Sequence, residues 1–129
     1  YHIARYAVLL CYLGEPEKAM EQIKRAMRID PFCSDLVLET EGLCHFVSGD
    51  FESAIASFKK MQIETRTSLF YTAASLRKIG KSEDAKKVLK VAQTESGMEN
   101  EKFVSSQLFQ RESDKSSLSG ALEEIQASL

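Results

Sequence analysis

The sequence predicts an all-α protein, an α-solenoid of about three helix pairs that ends in a C-terminal amphipathic helical cap. Its 129 residues contain only six glycines and two prolines, which leaves few of the turn signals that a many-stranded β protein needs. A glycine followed five residues later by an alanine occurs three times, beginning at Gly14, Gly49 and Gly80. Near the C-terminus, apolar residues recur at the spacing of one helix face.

The three glycines divide the chain into similar units. They are separated by 35 and 31 residues, and internal periods of this length are typical of helical repeat proteins. Four residues after each alanine comes a large apolar residue, and these residues are Ile23, Phe58 and Leu89. We therefore expect repeat units at about residues 1–33, 34–65 and 66–93, followed by a capping region at 94–129.

The first unit has signals for two helices and for the turn between them. Apolar residues at helical spacing precede Gly14, and they are Ile3, Tyr6, Ala7 and Leu10. Glycine adopts the left-handed conformation that ends a helix at little cost, and Pro16 suits the first position of the next helix. The sequence predicts this second helix over residues 17–29. The Asp30-Pro31 pair stops it, because a residue before proline avoids helical geometry.

The second and third units repeat this arrangement. Their first helices carry apolar or small residues at helical spacing, namely Leu38, Gly42, Leu43 and Phe46 in the second and Leu69, Tyr71, Ala73, Leu76 and Ile79 in the third. Asp50 and Ser82 are good N-cap residues for the helices that follow the turns. We expect these second helices over residues 52–63 and 83–93.

The C-terminal region differs in charge from the repeat units. Residues 93–129 carry a net charge of −4, whereas the first 92 residues carry +2. We expect a short helix over residues 99–109 and a second helix capped by Ser113 or Asp114. Their apolar residues are Phe103, Val104 and Leu108 in the first, and Leu118, Ala121, Leu122, Ile125 and Leu129 in the second. Helical arrays need a cap on their last unit, and a solvent-exposed face awaiting a partner is the alternative.

Composition and cysteine usage exclude several classes of protein. A net charge of −2 gives no reason to expect a nucleic-acid or membrane-surface ligand. The longest apolar run covers eight residues, 6–13, well short of the ~18 that a membrane helix needs. The three cysteines, Cys11, Cys33 and Cys44, are odd in number and lack a CxxC spacing, so we expect reduced thiols and a cytoplasmic location. Because the chain begins with Tyr1, we expect it to be part of a longer protein.

The sequence has no recognisable catalytic or ligand-binding motif. His2 and His45 have no cysteine or carboxylate at metal-ligand spacing and no neighbour that would activate a nucleophile. No glycine-rich phosphate-binding loop occurs. We therefore expect neither an enzyme nor a metal or cofactor site.

The repeat units resemble tetratricopeptide repeats (TPRs) over about residues 2–93. The segments that carry this resemblance are Leu13 to Ala19 with Ala26 to Pro31, Gly42 to Ile55 with Phe58, and Leu76 to Ala92. More loosely, the chain is similar to the C-terminal repeat regions of bacterial adenylate/guanylate cyclase-like proteins, through segments 30–32, 109–111 and 118–122. This second resemblance implies a sensing, scaffolding or dimerising role for an activity that lies elsewhere in a larger protein.

The TPR resemblance implies that the first helix of each pair lines a concave groove. The protein-binding groove candidates are Val8, Tyr12, Leu43, Phe46, Val47, Phe70 and Tyr71, with Ala4, Cys11, Leu36, Glu39, Ala74 and Arg77 beside them. Family members that hold a peptide carboxylate use Lys and Asn at several positions where this chain has Ala4, Val8, Thr40 and Tyr71, so a carboxylate clamp is not expected. The alternative is that several candidates face the core of their own helix pair.

The function expected from these observations is a non-catalytic protein–protein interaction module or scaffold. An apolar groove needs a cover, which a partner helix or extended segment, a second copy or the chain's own tail would supply. A nucleic-acid-binding helical repeat and a purely structural spacer stay open as alternatives. The nucleic-acid alternative rests on a basic cluster formed by Arg77, Lys78, Lys81, Lys86, Lys87 and Lys90. The other interpretations of this cluster are a solvated surface and a docking site for the acidic C-terminal region.

Overall fold

The computed structural model describes residues 2–32, 34–107 and 109–129, which form eight α-helices and no strand. In chain order the helices are α1 (His2–Tyr12), α2 (Pro16–Ile29), α3 (Asp35–Ser48), α4 (Phe51–Lys59), α5 (Arg66–Lys78), α6 (Ser82–Ser96), α7 (Asn100–Ser106) and α8 (Glu112–Ser128). The predicted all-α class is therefore confirmed. The cysteine Cys33, the expected apolar residue Leu108 and the side chain of His2 lie outside the described residues, as does Tyr1.

The turns after α1, α3 and α5 share one hydrogen-bond pattern. Gly14, Gly49 and Gly80 have φ angles of +80°, +85° and +85°. In each turn the residue after the glycine donates its N–H to a carbonyl five residues earlier, at 2.9 Å in all three. This is the Schellman arrangement, which satisfies the carbonyls at a helix end and needs a left-handed residue. The glycine turns predicted from the sequence are confirmed.

Of the three helices that follow the glycine turns, α2 and α4 start as the sequence predicts, and α6 does not. Pro16 is the first residue of α2, and the carboxylate of Asp50 accepts the N–H of Ser53 at 3.3 Å as the N-cap of α4. The N-cap role expected of Ser82 is wrong, because Ser82 already belongs to α6 and Lys81 precedes it. Neither residue supplies a side-chain cap to α6.

The end of α4 shows how a distant side chain overrides the local pattern. The predicted helix over 52–63 stops at Lys59. The Asp35 carboxylate, at the start of α3, accepts the N–H groups of Gln62 and Ile63 at 2.9 and 3.0 Å. Those two donors are therefore satisfied outside a helix, and the chain turns toward α5.

Two further boundaries differ from the sequence expectation. The first tail helix, α7, covers 100–106 rather than 99–109, and α8 begins at Glu112, before the expected caps Ser113 and Asp114. The residue that precedes α8 is Arg111, whose backbone is extended and whose side chain binds Asp114. Helix α6 continues to Ser96, past residue 93.

The helices pack as consecutive pairs that contact the next pair. Helix α1 packs on α2, α3 on α4 and α5 on α6, while α3 also contacts α1 and α2, and α5 also contacts α3 and α4. The repeated small and large residues of the second helices are all buried: Ala19, Ile23, Ala54, Phe58, Ala85 and Leu89. Within the second pair, Gly42 of α3 lies against Phe58 of α4, whose ring occupies the space where a Cβ atom would lie.

Candidate functional site

The seven groove candidates lie on the three first helices, α1, α3 and α5, whose shared side we call the first-helix surface. Leu43, Phe46, Phe70 and Tyr71 are buried within the chain, and Val8, Tyr12 and Val47 are half-buried against the core. Of the neighbouring candidates, Ala4, Cys11 and Ala74 are buried, and Leu36, Glu39 and Arg77 are half-buried. The structure therefore brings these side chains together and leaves none of them fully exposed.

The chain's own C-terminal segment covers part of the first-helix surface. We call residues 100–129, which contain α7 and α8, the tail. Helix α8 packs on α5 and α6, and α7 packs on α8. The predicted apolar face of α8 is buried, with Leu118, Ala121, Leu122 and Ile125 at most 2% exposed. Leu129, at the end of this stripe, is 45% exposed.

Phe103 of α7 is the aromatic anchor of the tail. Its ring is fully buried and stacks on the Phe70 ring, with centroids 4.2 Å apart and an angle of 14° between the planes. It also meets Tyr71 edge to face at 5.7 Å. On its other side Tyr71 contacts Phe46 edge to face at 5.0 Å. Three predicted candidates are therefore joined to the tail in one aromatic cluster, and offset or edge-on geometry of this kind adds to the free energy of burial.

Gln107 joins the first and third helix pairs through one oxygen atom. Its Oε1 accepts a hydrogen bond from the Tyr71 hydroxyl at 2.7 Å and another from the Tyr12 hydroxyl at 3.1 Å. The backbone of the tail adds a further bond, since the N–H of Gln110 donates to the Tyr12 carbonyl at 2.7 Å. The ring of Phe109 packs edge to face against Tyr12 at 5.1 Å. The tail thus reaches from α5 back to the end of α1.

An ion pair at the start of α8 lies beside the first glycine turn. Arg111 donates from Nε and Nη2 to the two carboxylate oxygens of Asp114 at 2.9 and 3.1 Å. The Arg111 side chain lies over Gly14, where an added Cβ atom would sit 2.6 Å from Arg111 Cδ. Asp114 is buried, and this hydrogen bond raises the pKa of Arg111. Gly14 therefore has two roles. It adopts the left-handed conformation of the turn, and its lack of a side chain leaves room for Arg111 of the tail.

Burial favours the neutral form of the ionisable groups on the first-helix surface. Burial raises the pKa of Tyr71 well above its ordinary value and raises that of Tyr12 as well. Both phenols therefore keep the proton that they donate to Gln107. Burial also raises the pKa of Glu39, partly offset by the hydrogen bond that its Oε2 accepts from the Thr65 hydroxyl at 2.8 Å.

Within the part of the chain that the structure describes, the basic cluster of the third pair forms one ion pair with the tail. Arg77 pairs with Glu124 at 3.0 Å, while Lys86 pairs with Glu83 of its own helix at 3.2 Å. Both pairs are partly exposed, so each contributes little to stability. The tail is thus held by aromatic burial and buried hydrogen bonds more than by charge.

A concavity lies between the end of α6 and the tail. It has a volume of about 930 Å³ and is lined by residues of α6, α7, α8 and the 97–99 loop. The amide side chains at its edge bond to one another, since Gln93 donates to Asn100 at 2.9 Å and to Gln126 at 2.8 Å. These bonds fasten the end of α8 to the end of α6.

The sequence singles out the apolar residues of this contact and gives no signal for its polar residues. Phe103 was expected to be one of the apolar residues of the first tail helix. Gln107, Gln110 and Arg111 had no assigned contact, since a single glutamine or arginine outside a helix carries no local signal of its partner. The described residues include no group of three or more His, Cys, Asp or Glu side chains that could hold a metal ion. Within the same residues, no helix is both long and apolar enough to cross a membrane.

Comparisons of this chain with protein-family models, with curated proteins and with solved structures find no match.

Proposed function

We propose that this chain is a non-catalytic protein-interaction module of the TPR type, with the first-helix surface as its binding site. The observation that carries the proposal is the way the tail occupies that surface. Phe103 packs on Phe70, and Gln107 accepts hydrogen bonds from two hydroxyl groups. The 109–111 segment contacts the end of α1 and the turn that follows it. A surface that holds its own peptide in this way has the chemistry to hold another one.

The partner expected from this chemistry is a protein segment that resembles the tail. It would place an aromatic ring against Phe70 and Tyr71 and an amide oxygen between Tyr12 and Tyr71. Burial of a phenylalanine contributes about 1.5–3 kcal/mol, so the aromatic position would dominate affinity. The segment could come from another protein or from the tail of a second copy. We further propose that the module works in the cytoplasm as part of a larger, cyclase-like signalling protein, on the resemblances given above.

The resident tail competes with any such partner. A tethered segment acts at an effective concentration in the millimolar range. The apparent affinity for a partner is the intrinsic affinity multiplied by the fraction of molecules whose first-helix surface is free. The intact chain is therefore expected to bind partners weakly until its tail is displaced.

A peptide titration on the full chain tests the proposal. The probe is a synthetic peptide of residues 99–111. It is titrated into the wild-type chain and into the Phe103→Ala variant, in which the tail binds the first-helix surface less tightly. We expect the variant to bind this peptide about tenfold or more tightly than the wild type does. A peptide carrying Phe103→Ala should bind neither protein. Ile63→Ser changes an exposed side chain between α4 and α5, and this variant should behave as wild type. Equal affinity of the two peptides, or no binding to a folded Phe103→Ala chain, would contradict the proposal.

A further inference from the structure

Two free thiols from different helix pairs lie in contact at the centre of the fold. The Sγ atoms of Cys11 in α1 and Cys44 in α3 are 2.9 Å apart and form an S–H···S hydrogen bond. Both side chains are fully buried. They are separated by 33 residues along the chain, and their contact lies between α1 of the first pair and α3 of the second.

We propose that Cys11 and Cys44 form an oxidation site, in which a hydroperoxide converts the two thiols into a reversible disulfide between α1 and α3. In the first step one thiol loses its proton and the resulting thiolate attacks one oxygen of hydrogen peroxide. The O–O bond breaks, the sulfur becomes a sulfenic acid, and the departing hydroxide takes up the proton and leaves as water. In the second step the other thiol attacks the sulfenic sulfur, so that the S–S bond forms and water leaves. The two sulfurs together lose two protons and two electrons, and hydrogen peroxide becomes two molecules of water.

The geometry favours the second step. A disulfide bond is about 2.05 Å long, so the sulfurs need to approach by roughly 0.9 Å from the 2.9 Å of the hydrogen-bonded pair. The two sulfurs can make this approach while α1 and α3 stay packed on each other. A sulfenic acid at either cysteine would therefore meet a resolving thiol already in place, which protects it from further oxidation.

The surroundings make the first step slow in the closed protein. The hydrogen bond with Cys44, burial and the nearby Asp114 carboxylate all raise the pKa of Cys11, and the thiolate is the reactive form. Neither sulfur is open to solvent. We therefore expect oxidation to need higher peroxide or longer exposure than an exposed thiol would, and to yield one product.

The test uses the full chain carrying Cys33→Ser, so that Cys11 and Cys44 are the remaining thiols. The folded protein is treated with hydrogen peroxide, unfolded, alkylated with a maleimide and analysed by intact mass and peptide mapping. We expect a species lighter by two hydrogen atoms that takes up no maleimide, a cross-linked peptide pair containing both cysteines, and full recovery of both thiols with dithiothreitol. The oxidised chain should also melt at a higher temperature than the reduced one.

Other products would overturn the proposal. Sulfinic or sulfonic acid at either cysteine as the main product, a disulfide between chains, or two thiols that still react with maleimide after prolonged exposure would each show that the pair is no disulfide site. Adding Cys44→Ser removes the resolving thiol, and this variant should show no internal cross-link and no peroxide-dependent rise in melting temperature. Because the main readout uses unaltered Cys11 and Cys44, it does not depend on whether that variant folds.

Discussion

The Tyr71 hydroxyl donates a hydrogen bond to Gln107 Oε1 at 2.7 Å, linking the fully buried centre of α5 to the tail. The same oxygen accepts from Tyr12 at 3.1 Å. One amide of the tail thus connects the first and third helix pairs. Buried polar contacts of this kind are costly when only one partner is present, so they select a single arrangement of the tail.

Removing the Tyr71 hydroxyl should destabilise the fold by about 0.5–1.5 kcal/mol, the usual contribution of one buried hydrogen bond. Tyr71→Phe keeps the ring contacts with Phe46 and Phe103, and Tyr12→Phe should cost less, because Tyr12 is half-buried and its bond is longer. Urea unfolding followed by circular dichroism measures both changes. Both hydroxyls donate to Gln107, so each Tyr→Phe change should reduce the free energy of unfolding by less in a Gln107→Ala background. Equal losses with and without Gln107 would exclude the shared contact.

Truncation of the tail anchor should have a large effect. Phe103 is fully buried between Phe70 and Tyr71, and a Phe→Ala change at such a site costs roughly 3–5 kcal/mol. Phe109→Ala provides the matched control, because Phe109 is half-buried and contacts Tyr12 at the edge of the same surface. Thermal unfolding of the two variants should show a clearly larger decrease for Phe103→Ala, and equal decreases would contradict the assigned anchor.

Two glycines inside helices should respond in opposite directions. At Gly42 an added Cβ would lie 2.6 Å from Phe58 Cζ, so Gly42→Val should overpack the crossing of α3 and α4 and cost about 1–3 kcal/mol. At Gly120 in α8 nothing lies within 4 Å of an added Cβ. Gly120→Ala should therefore stabilise the chain by roughly 0.5–1 kcal/mol, because alanine favours the helix. Melting temperatures that move together would refute this packing.

Glu39 should make stability fall as the pH rises through the acidic range. Burial raises its pKa in the folded chain, whereas in the unfolded chain it loses its proton near the ordinary value of about 4.3. The unfolded state therefore ionises first, and stability decreases between that pH and the higher pKa of the folded state. Glu39→Gln keeps an acceptor for Thr65 and should be more stable than wild type at neutral pH, with a smaller difference below pH ~4. A constant difference across this range in pH-dependent urea unfolding would rule out this role of Glu39.

Local signals accounted for most of the helix pairs. The glycine turns, Pro16 and the Asp50 cap act within a few residues, so the sequence alone predicts them. The early end of α4 depends on Asp35, which lies 27 residues from Gln62, and no local pattern reports such a contact. The same reason explains why Gln107 was missed, because its partners Tyr71 and Tyr12 lie 36 and 95 residues away.

The sequence also left the cover of the first-helix surface open among a partner, a second copy and the tail. The apolar residues of α7 and α8 were predicted as a face, but a face does not specify what it packs on. Stacking of Phe103 on Phe70 and the hydrogen bonds to Gln107 place the tail on α1 and α5 as well as on the end of α6. The tail therefore both packs on the last pair and covers part of the first-helix surface.

Contacts between the tail and the first helices in solution test the central claim most directly. The measurement is a set of nuclear Overhauser effects on the isotopically labelled full chain. We predict strong effects between the ring protons of Phe103 and Phe70, and between Phe109 and Tyr12, whose centroids are 4.2 and 5.1 Å apart. Random-coil chemical shifts over residues 100–129, with no such effects in an otherwise helical spectrum, would contradict the account.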